Sequence, residues 1–201
     1  MDELTREKWN RAAGTYDIMG ARGAERRWAG YKRKFFSGMN GKVLFLAVGT
    51  GLDIQFFPSG QDILGIDISP KMLDQAGPRA VAYDGKLELR LCDVHDLGVP
   101  DDTFDQIYTS CTFCSVPNPI EALRVLRRVL KTGGRLRMFE HTGSRWFPFN
   151  AMLNLMTPLT RRFGPEVNRD TTGNVEKAGF HILRVENLYL DVVKTIEAEK
   201  R

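Results

Sequence analysis

The stretch Lys42-Val43-Leu44-Phe45-Leu46-Ala47-Val48-Gly49-Thr50-Gly51-Leu52-Asp53 decides the fold. Its apolar run reads as a buried strand over Val43 to Val48, and the small residues after it read as a turn in which backbone N–H groups can approach a ligand. The same residues exclude two nucleotide sites. A dinucleotide fingerprint G-x-G-x-x-G counted from Gly49 needs glycine where Ile54 stands, and a P-loop needs Gly-Lys-Ser/Thr, whereas no lysine follows Gly51.

Outward from that turn, short apolar runs alternate with helical or turn-rich stretches, the pattern of a parallel sheet flanked by helices. Further strands are expected at Ile63 to Ile66, Leu87 to Leu91, Gln106 to Thr109 and Arg135 to Phe139. An amphipathic helix is expected from Asn118 to Lys131, with Arg124, Arg127, Arg128 and Lys131 suiting its C-terminal dipole and Gly133-Gly134 stopping it. His181 to Glu197 holds enough Val, Ile, Leu and Tyr for two more strands. The expected fold class is α/β: a seven-stranded, mostly parallel, Rossmann-like sheet with helices on both faces.

Two carboxylates fall at strand ends. Ile63-Leu64-Gly65-Ile66-Asp67 places Asp67 where an acid can accept hydrogen bonds from both ribose hydroxyls, and Leu91-Cys92-Asp93-Val94 places Asp93 beside an apolar residue where an adenine would lie.

Composition bounds the rest. The 201 residues, 42% hydrophobic and 27% charged, supply both a core and a soluble surface, which excludes disordered, collagenous and solenoid classes. Met1 to Trp9 lacks the apolar region of a signal peptide, so a cytoplasmic location is expected. Cys92, Cys111 and Cys114 form no disulfide framework, and the single Cys111-Thr-Phe-Cys114 pair without a second ligand pair reads as packing rather than a metal site; the thiols are expected to be structural. The net charge of +4 is mild, but Arg22, Arg26, Arg27, Lys32, Arg33 and Lys34 face only Glu25 and are interleaved with Trp28, Tyr31, Phe35 and Phe36. Either that segment is a solvated helix whose aromatics dock on the domain, or it lies on anionic lipid, each basic residue contributing about 1 kcal/mol near the surface. No recognised nucleic-acid-binding pattern accompanies it, so no nucleic-acid partner is expected.

Across Lys42 to Glu140 the chain resembles the class I S-adenosylmethionine-dependent methyltransferases. The resemblance rests on Ala47-Val48-Gly49-Thr50-Gly51, Gly65-Ile66-Asp67-Ile68-Ser69-Pro70-Lys71-Met72-Leu73, Thr103-Phe104-Asp105, and Val125 to Gly134. It implies S-adenosylmethionine as cofactor, bound by Ala47, Gly49, Thr50 and Gly51 of the turn, by Asp67, Ile68 and Met72, and by Asp93, Val94 and Ser110. Two positions depart from the family: Phe45 stands where an acid is usual, and Ala47 replaces the first motif glycine. Tyr16-Asp17 resembles the Tyr-Asp at which an N-terminal helix closes over this cofactor, which implies Tyr16 as a shield for the sulfonium with a cation-π face for a methylated ammonium product.

Thr109-Ser110-Cys111-Thr112 is not the Asn/Asp-Pro-Pro-Tyr of methyltransferases acting on planar nitrogens. Cys111 to Val116, Phe139-Glu140-His141, and Asn168-Arg169-Asp170-Thr171 resemble the bacterial phospholipid N-methyltransferases of the ubiquinone-methyltransferase-like subgroup. Membrane-associated thiol methyltransferases look similar over the same segments. The resemblance implies methylation of phosphatidylethanolamine toward phosphatidylcholine by a monomer at the inner face of the cell membrane. Residues 1–40 would form an N-terminal helical cap and membrane-contacting segment, and residues 41–201 the methyltransferase domain with an apolar insertion at 143–165. In that insertion Phe149, Met152, Leu153 and Met156 have helical spacing, read either as a helix covering the sheet or as a lid beside the site. Arg145, Arg161, Arg162 and Arg169 bracket it, so Arg145, Asn168 and Arg169 are candidates for holding a lipid phosphate. A headgroup amine near the lysine value of about 10.4 must lose a proton before attack. His141 is the candidate base and Glu140 its orienter, although neighbours on a strand point to opposite faces. A quinone-precursor or thiol acceptor, and a non-catalytic cofactor-binding protein, remain open alternatives.

Overall fold

The computed structural model describes residues 2–18, 22–160 and 165–201. Two helices, α1 (Glu3–Tyr16) and α2 (Arg22–Phe36), precede a sheet whose first five strands are β1 (Lys42–Leu46), β2 (Asp62–Asp67), β3 (Lys86–Leu91), β4 (Phe104–Ser110) and β5 (Leu130–His141). A short 3-10 helix (Leu52–Phe56), α3 (Pro70–Val81) and α4 (Pro119–Val129) connect them. After β5 come α5 (Phe149–Thr160), α6 (Thr171–Lys177) and the hairpin β6 (His181–Tyr189) and β7 (Val193–Glu199).

The seven strands lie in the order β3-β2-β1-β4-β5-β7-β6, parallel except for β7, which runs antiparallel to both neighbours. Both faces are covered, so the central strands are apolar on both sides. In β1, Leu44 and Leu46 pack with α4 and α6 residues such as Leu123, Leu126 and Val175, while Val43 and Phe45 pack on the other face with Phe36, Phe57 and Ala76.

The helix expected over Asn118 to Lys131 ends at Val129. Leu130 is already in β5, paired with Phe104, and Gly133 and Gly134 are bonded through their backbones to Lys200. The strand takes over where Leu130 enters the ladder with β4, and the glycines bond to the chain just after β7.

The basic segment docks its aromatics. Trp28 meets Phe139 and Tyr189, Phe35 meets Tyr108 and Phe139, and Phe36 is fully buried against Phe45 and Phe57. Arg26, Arg33 and Lys34 stay exposed, while Lys32 is buried. For Trp28, Phe35 and Phe36 that arrangement is the first of the two readings, while Tyr31 is exposed; the side chains of Arg22 and Glu25 lie outside the described residues. Helix α5 does not cover the sheet: Leu153 alone of its stripe is buried, whereas Met152 and Met156 are exposed. Arg161, Arg162 and Phe163 lie outside the described residues. Among those residues no helix is long and apolar enough to cross a membrane.

Candidate active site

A cavity opens at the C-terminal ends of β1 to β4, where ligands bind in open α/β sheets. Its walls come from the β1 turn (Ala47, Gly49), the end of β2 and start of α3 (Asp67, Ile68, Met72), the loop after β3 (Asp93, Val94, His95), and the loop after β4 (Ser110 to Thr112, Ser115 to Pro117). Helix α1 lies across it, contributing Asp2, Thr5, Trp9 and Tyr16.

The turn after β1 is built by unusual backbone. Ala47 has φ 57° and Gly49 φ 58°, and a Cβ added at Gly49 would meet nothing within 4 Å, so the main chain there borders open space. Gly51 does a different job. Its φ is 83°, and a Cβ there would lie 3.2 Å from the Ala76 backbone, so glycine lets α3 approach the turn. Thr50 also faces away from the cavity: its hydroxyl donates to Asp17 at 2.6 Å and its carbonyl accepts from Arg79, which reaches Asp17 at 2.7 Å. Thr50 and Gly51 therefore hold the frame and latch the end of α1, rather than line the cofactor cavity as expected.

Asp67 is 6% exposed and aims into the cavity while accepting from Gly49 N at 2.8 Å and Ser69 N at 2.9 Å. Burial outweighs those bonds and holds its carboxyl above the usual range. Asp93 is the opposite case. Burial raises it, but hydrogen bonds from His95 N (3.0 Å), the His95 ring (2.8 Å) and Asp2 N (2.9 Å) win, and its carboxyl lies below the usual range. Asp2 thereby ties the start of α1 to the site, and Asn10, accepting from Ser69 Oγ at 2.6 Å, ties its middle.

At the β1–β4 end, Tyr16 stacks edge-on against Trp9, with ring centroids 6.2 Å apart, and stands near Cys111. Burial of the phenol raises the Tyr16 pKa, so its hydroxyl stays protonated near neutral pH. Cys111 corrects the expectation of structural thiols. It has surface open to the cavity, in a left-handed backbone conformation (φ 53°), while Cys114 is buried and Cys92 half-buried. Burial of its sulfur raises the Cys111 pKa and favours the protonated thiol.

Glu140 and His141 do not form the expected couple. Glu140 is fully buried; its Oε1 accepts from Thr109 Oγ1 at 2.6 Å and its Oε2 from Thr112 N at 2.9 Å and Phe113 N at 3.0 Å, which pins the loop carrying Cys111. His141, one residue on, projects to the α2 face shared with Phe139, outside the cavity wall, and its buried Nδ1 has no hydrogen-bond partner. Burial lowers its pKa and favours the neutral imidazole.

Nor do the proposed phosphate ligands reach the cavity. The Arg169 guanidinium donates to Phe113 O at 2.9 Å, to Val116 O, and to Glu166 at 2.8 Å, so it clamps the cavity-wall loop to the chain that follows the insertion. Asn168 donates to Asn154 at 2.9 Å, and Arg145 is exposed with its backbone N–H on Asp191. Sequence reasoning missed the α1 residues Asp2, Thr5 and Trp9, for which there was no local signal, and His95, whose spacing two residues after Asp93 was one.

Residues 44–138 match the family described as the methyltransferase domain. The ubiquinone/menaquinone biosynthesis C-methyltransferase UbiE of Geotalea daltonii is 30% identical over 157 residues, covering 73% of this chain and 67% of the relative. The chain belongs to the class I S-adenosylmethionine-dependent methyltransferases. A phosphatidylethanolamine N-methyltransferase of Cereibacter sphaeroides is 32% identical over 103 residues, covering 50% of this chain and 51% of the relative. This methyltransferase thus spans between half and two thirds of the length of those two relatives. The solved structure of an S-adenosylmethionine-dependent methyltransferase from Thermotoga maritima, described as a possible histamine N-methyltransferase, superposes with a TM-score of 0.71 at 18% identity, covering 98% of this chain and 100% of that one. The fold is therefore the methyltransferase fold.

The residues fit S-adenosylmethionine: an acid at the end of β2 for the ribose, Val94 and Ile68 as apolar faces for the adenine, open space at Gly49, and an aromatic wall at Tyr16 and Trp9. With α1 in place the cavity encloses about 110 Å³.

Proposed function

We propose that this methyltransferase transfers methyl groups to the amine of phosphatidylethanolamine, working from the inner surface of the cell membrane. The observation that carries the reading is a strongly apolar exposed segment, linked through Asn154 and Asn168 to the chain that is bonded to the cavity-wall loop. Trp146 (69% exposed), Phe147 (83%), Leu155 (83%) and Leu159 (61%) stand in solvent in and before α5. Exposed apolar clusters of this kind mark membrane or partner contacts. The chain just after that insertion is joined to the cavity-lining loop by Arg169 and by the Glu166 N–H to Cys114 O bond (2.8 Å), and Asn168 there donates to Asn154 of α5 at 2.9 Å. A lipid headgroup drawn from a membrane under α5 would meet the site at that loop.

The cofactor supplies an activated methyl group. The chain's part is to exclude water with α1, to hold the acceptor nitrogen against the Tyr16–Cys111 end, and to offer the Tyr16 ring to the ammonium product. His141 does not line the cavity, so the acceptor amine must reach the site already deprotonated or pass its proton to another acceptor. The identity to a quinone C-methyltransferase supports a second reading, an apolar quinone precursor as acceptor, which the same exposed segment would also serve.

The two readings are separated by supplying methyl-labelled S-adenosylmethionine with vesicles containing phosphatidylethanolamine or a demethylated quinol. Label in mono-, di- or trimethylated lipid supports the proposal; label only in the quinol replaces it with the second reading.

A further inference from the structure

The outer stripe of α2 has no part in the chemistry described so far. Trp28, Lys32 and Phe36 turn toward the domain, whereas Arg27, Gly30, Tyr31 and Lys34, at helical spacing, line a second cavity. It lies between α2 and the β5–β7–β6 half of the sheet and shares no lining residue with the cofactor cavity. Its volume is about 420 Å³, within the roughly 300 to 1,000 Å³ common for small-ligand sites. A Cβ added at Gly30 would meet nothing within 4 Å, so the helix backbone there borders open space.

Cations gather at one end of this cavity. Strand register puts Arg137, Glu197 and Arg184 in one row across β5, β7 and β6, with the glutamate in the middle. Glu197 meets Arg137 at 3.2 Å, and Glu186 meets Arg184 at 3.2 Å. Lys34 reaches the same end from the helix. It stands one turn before Gly38, where an added Cβ would lie 2.5 Å from Arg137 Nη1, and it is exposed and makes no ion pair among the described residues. Farther up the groove the Arg27 guanidinium lies over the Tyr189 ring at 4.2 Å. Four cations thus face two carboxylates, an excess of two positive charges.

The polar groups at that end are also incompletely bonded. Arg137 Nε is buried without a hydrogen-bond partner, and so is the hydroxyl of Tyr108, the register partner of Arg137 on β4 and itself fully buried. Buried polar groups are nearly always satisfied by protein, water or a ligand. The rest of the wall is apolar, formed by Phe35, Leu188, Ile196 and the ring of Tyr31.

We propose that this cavity is a second ligand site that takes a phosphate monoester carrying an apolar chain, with Lys34, Arg137 and Arg184 around the phosphate and the chain along Tyr31, Phe35 and Leu188. Such a phosphate bears about 1.5 to 2 negative charges at neutral pH and three acceptor oxygens, which match the excess charge and the guanidinium and ammonium donors. The site is apart from the cofactor's, so the inference holds whichever acceptor is methylated.

The test is calorimetric titration of the full chain with octyl phosphate below its micelle concentration, in saturating S-adenosylhomocysteine so that the cofactor cavity is filled. One octyl phosphate should bind per chain, with inorganic phosphate and octanol each roughly 10-fold weaker or more. Lys34→Gln/Arg184→Gln changes two exposed side chains and should weaken octyl phosphate by roughly 10- to 100-fold, while S-adenosylhomocysteine affinity stays within about twofold of wild type and reports an intact fold. Octyl phosphate bound equally by the double variant, or no more tightly than octanol or inorganic phosphate, would overturn the proposal. Co-sedimentation with phosphatidylcholine vesicles containing phosphatidic acid identifies the source of the ester. Sedimentation reduced in the double variant marks a membrane-lipid headgroup, equal sedimentation marks a soluble phosphate ester, and either agrees with a site that binds octyl phosphate.

Discussion

Glu140→Gln and Glu140→Leu should behave very differently, although both remove a buried charge. The carboxylate sits beneath the loop after β4, receiving Thr109 Oγ1 on one oxygen and the Thr112 and Phe113 N–H groups on the other. Glutamine can reproduce all three contacts: its oxygen takes both N–H groups, and its amide donates to a Thr109 hydroxyl that turns to accept. Leucine strands three buried donors, at roughly 1 to 3 kcal/mol each, so its loss should be about 3 to 6 kcal/mol after partial relief by water. Burial pushes Glu140 from its usual 4.5 up to about 7 against the pull of Thr109, Thr112, Phe113 and Arg169. The native protein therefore holds this proton more tightly than the unfolded chain does. Its contribution is complete below about pH 4.5 and declines as pH rises to about 7, by roughly 3 kcal/mol in total. Urea unfolding of the wild type and both variants at pH 5, 6, 7 and 8, followed by circular dichroism, reads both effects. The wild-type minus Glu140→Gln difference should fall across that range. A glutamine variant as unstable as the leucine one, or a difference that stays flat with pH, would refute the reasoning.

Three further outcomes follow from the same geometry. Asp67→Ala should weaken S-adenosylhomocysteine binding by roughly 10- to 100-fold in a fluorescence titration; because burial raises the Asp67 pKa, wild-type affinity should also begin to fall on acidification at a higher pH than for an ordinary carboxylate. Ala47→Gly should raise stability by about 1 kcal/mol, a melting shift of roughly 2 to 4 °C, by relieving a left-handed alanine; an unchanged or lower melting temperature counts against that strain. Leu155→Asp/Leu159→Asp should lower co-sedimentation with phosphatidylethanolamine vesicles while leaving cofactor affinity untouched, and equal sedimentation would remove α5 from the membrane reading.

Much of this site was written in local sequence. Asp67 and Asp93 were legible because a carboxylate at a strand end follows directly from strand period and length, and the cavity at Gly49 because small residues after an apolar run let a ligand approach. What escaped was set by distant partners. Thr50 belongs to the α1 latch because Asp17 and Arg79 fold onto it, and Arg169 is spent on Phe113, Val116 and Glu166, contacts across more than 50 residues in two cases. An arginine beside an apolar segment looks the same in sequence whether it awaits a phosphate or staples two loops. The stripe on α5 left two readings open for a related reason: helical spacing of apolar residues says that a face exists, and only the tertiary fold says whether protein covers it.

The most direct test of the account is a crystal structure of the chain with S-adenosylhomocysteine. The ribose hydroxyls should lie on Asp67, the adenine against Val94 beside Asp93, and the thioether sulfur between Tyr16 and Cys111 under a closed α1. Ligand density outside this cavity, or a ribose that makes no contact with Asp67, would contradict it.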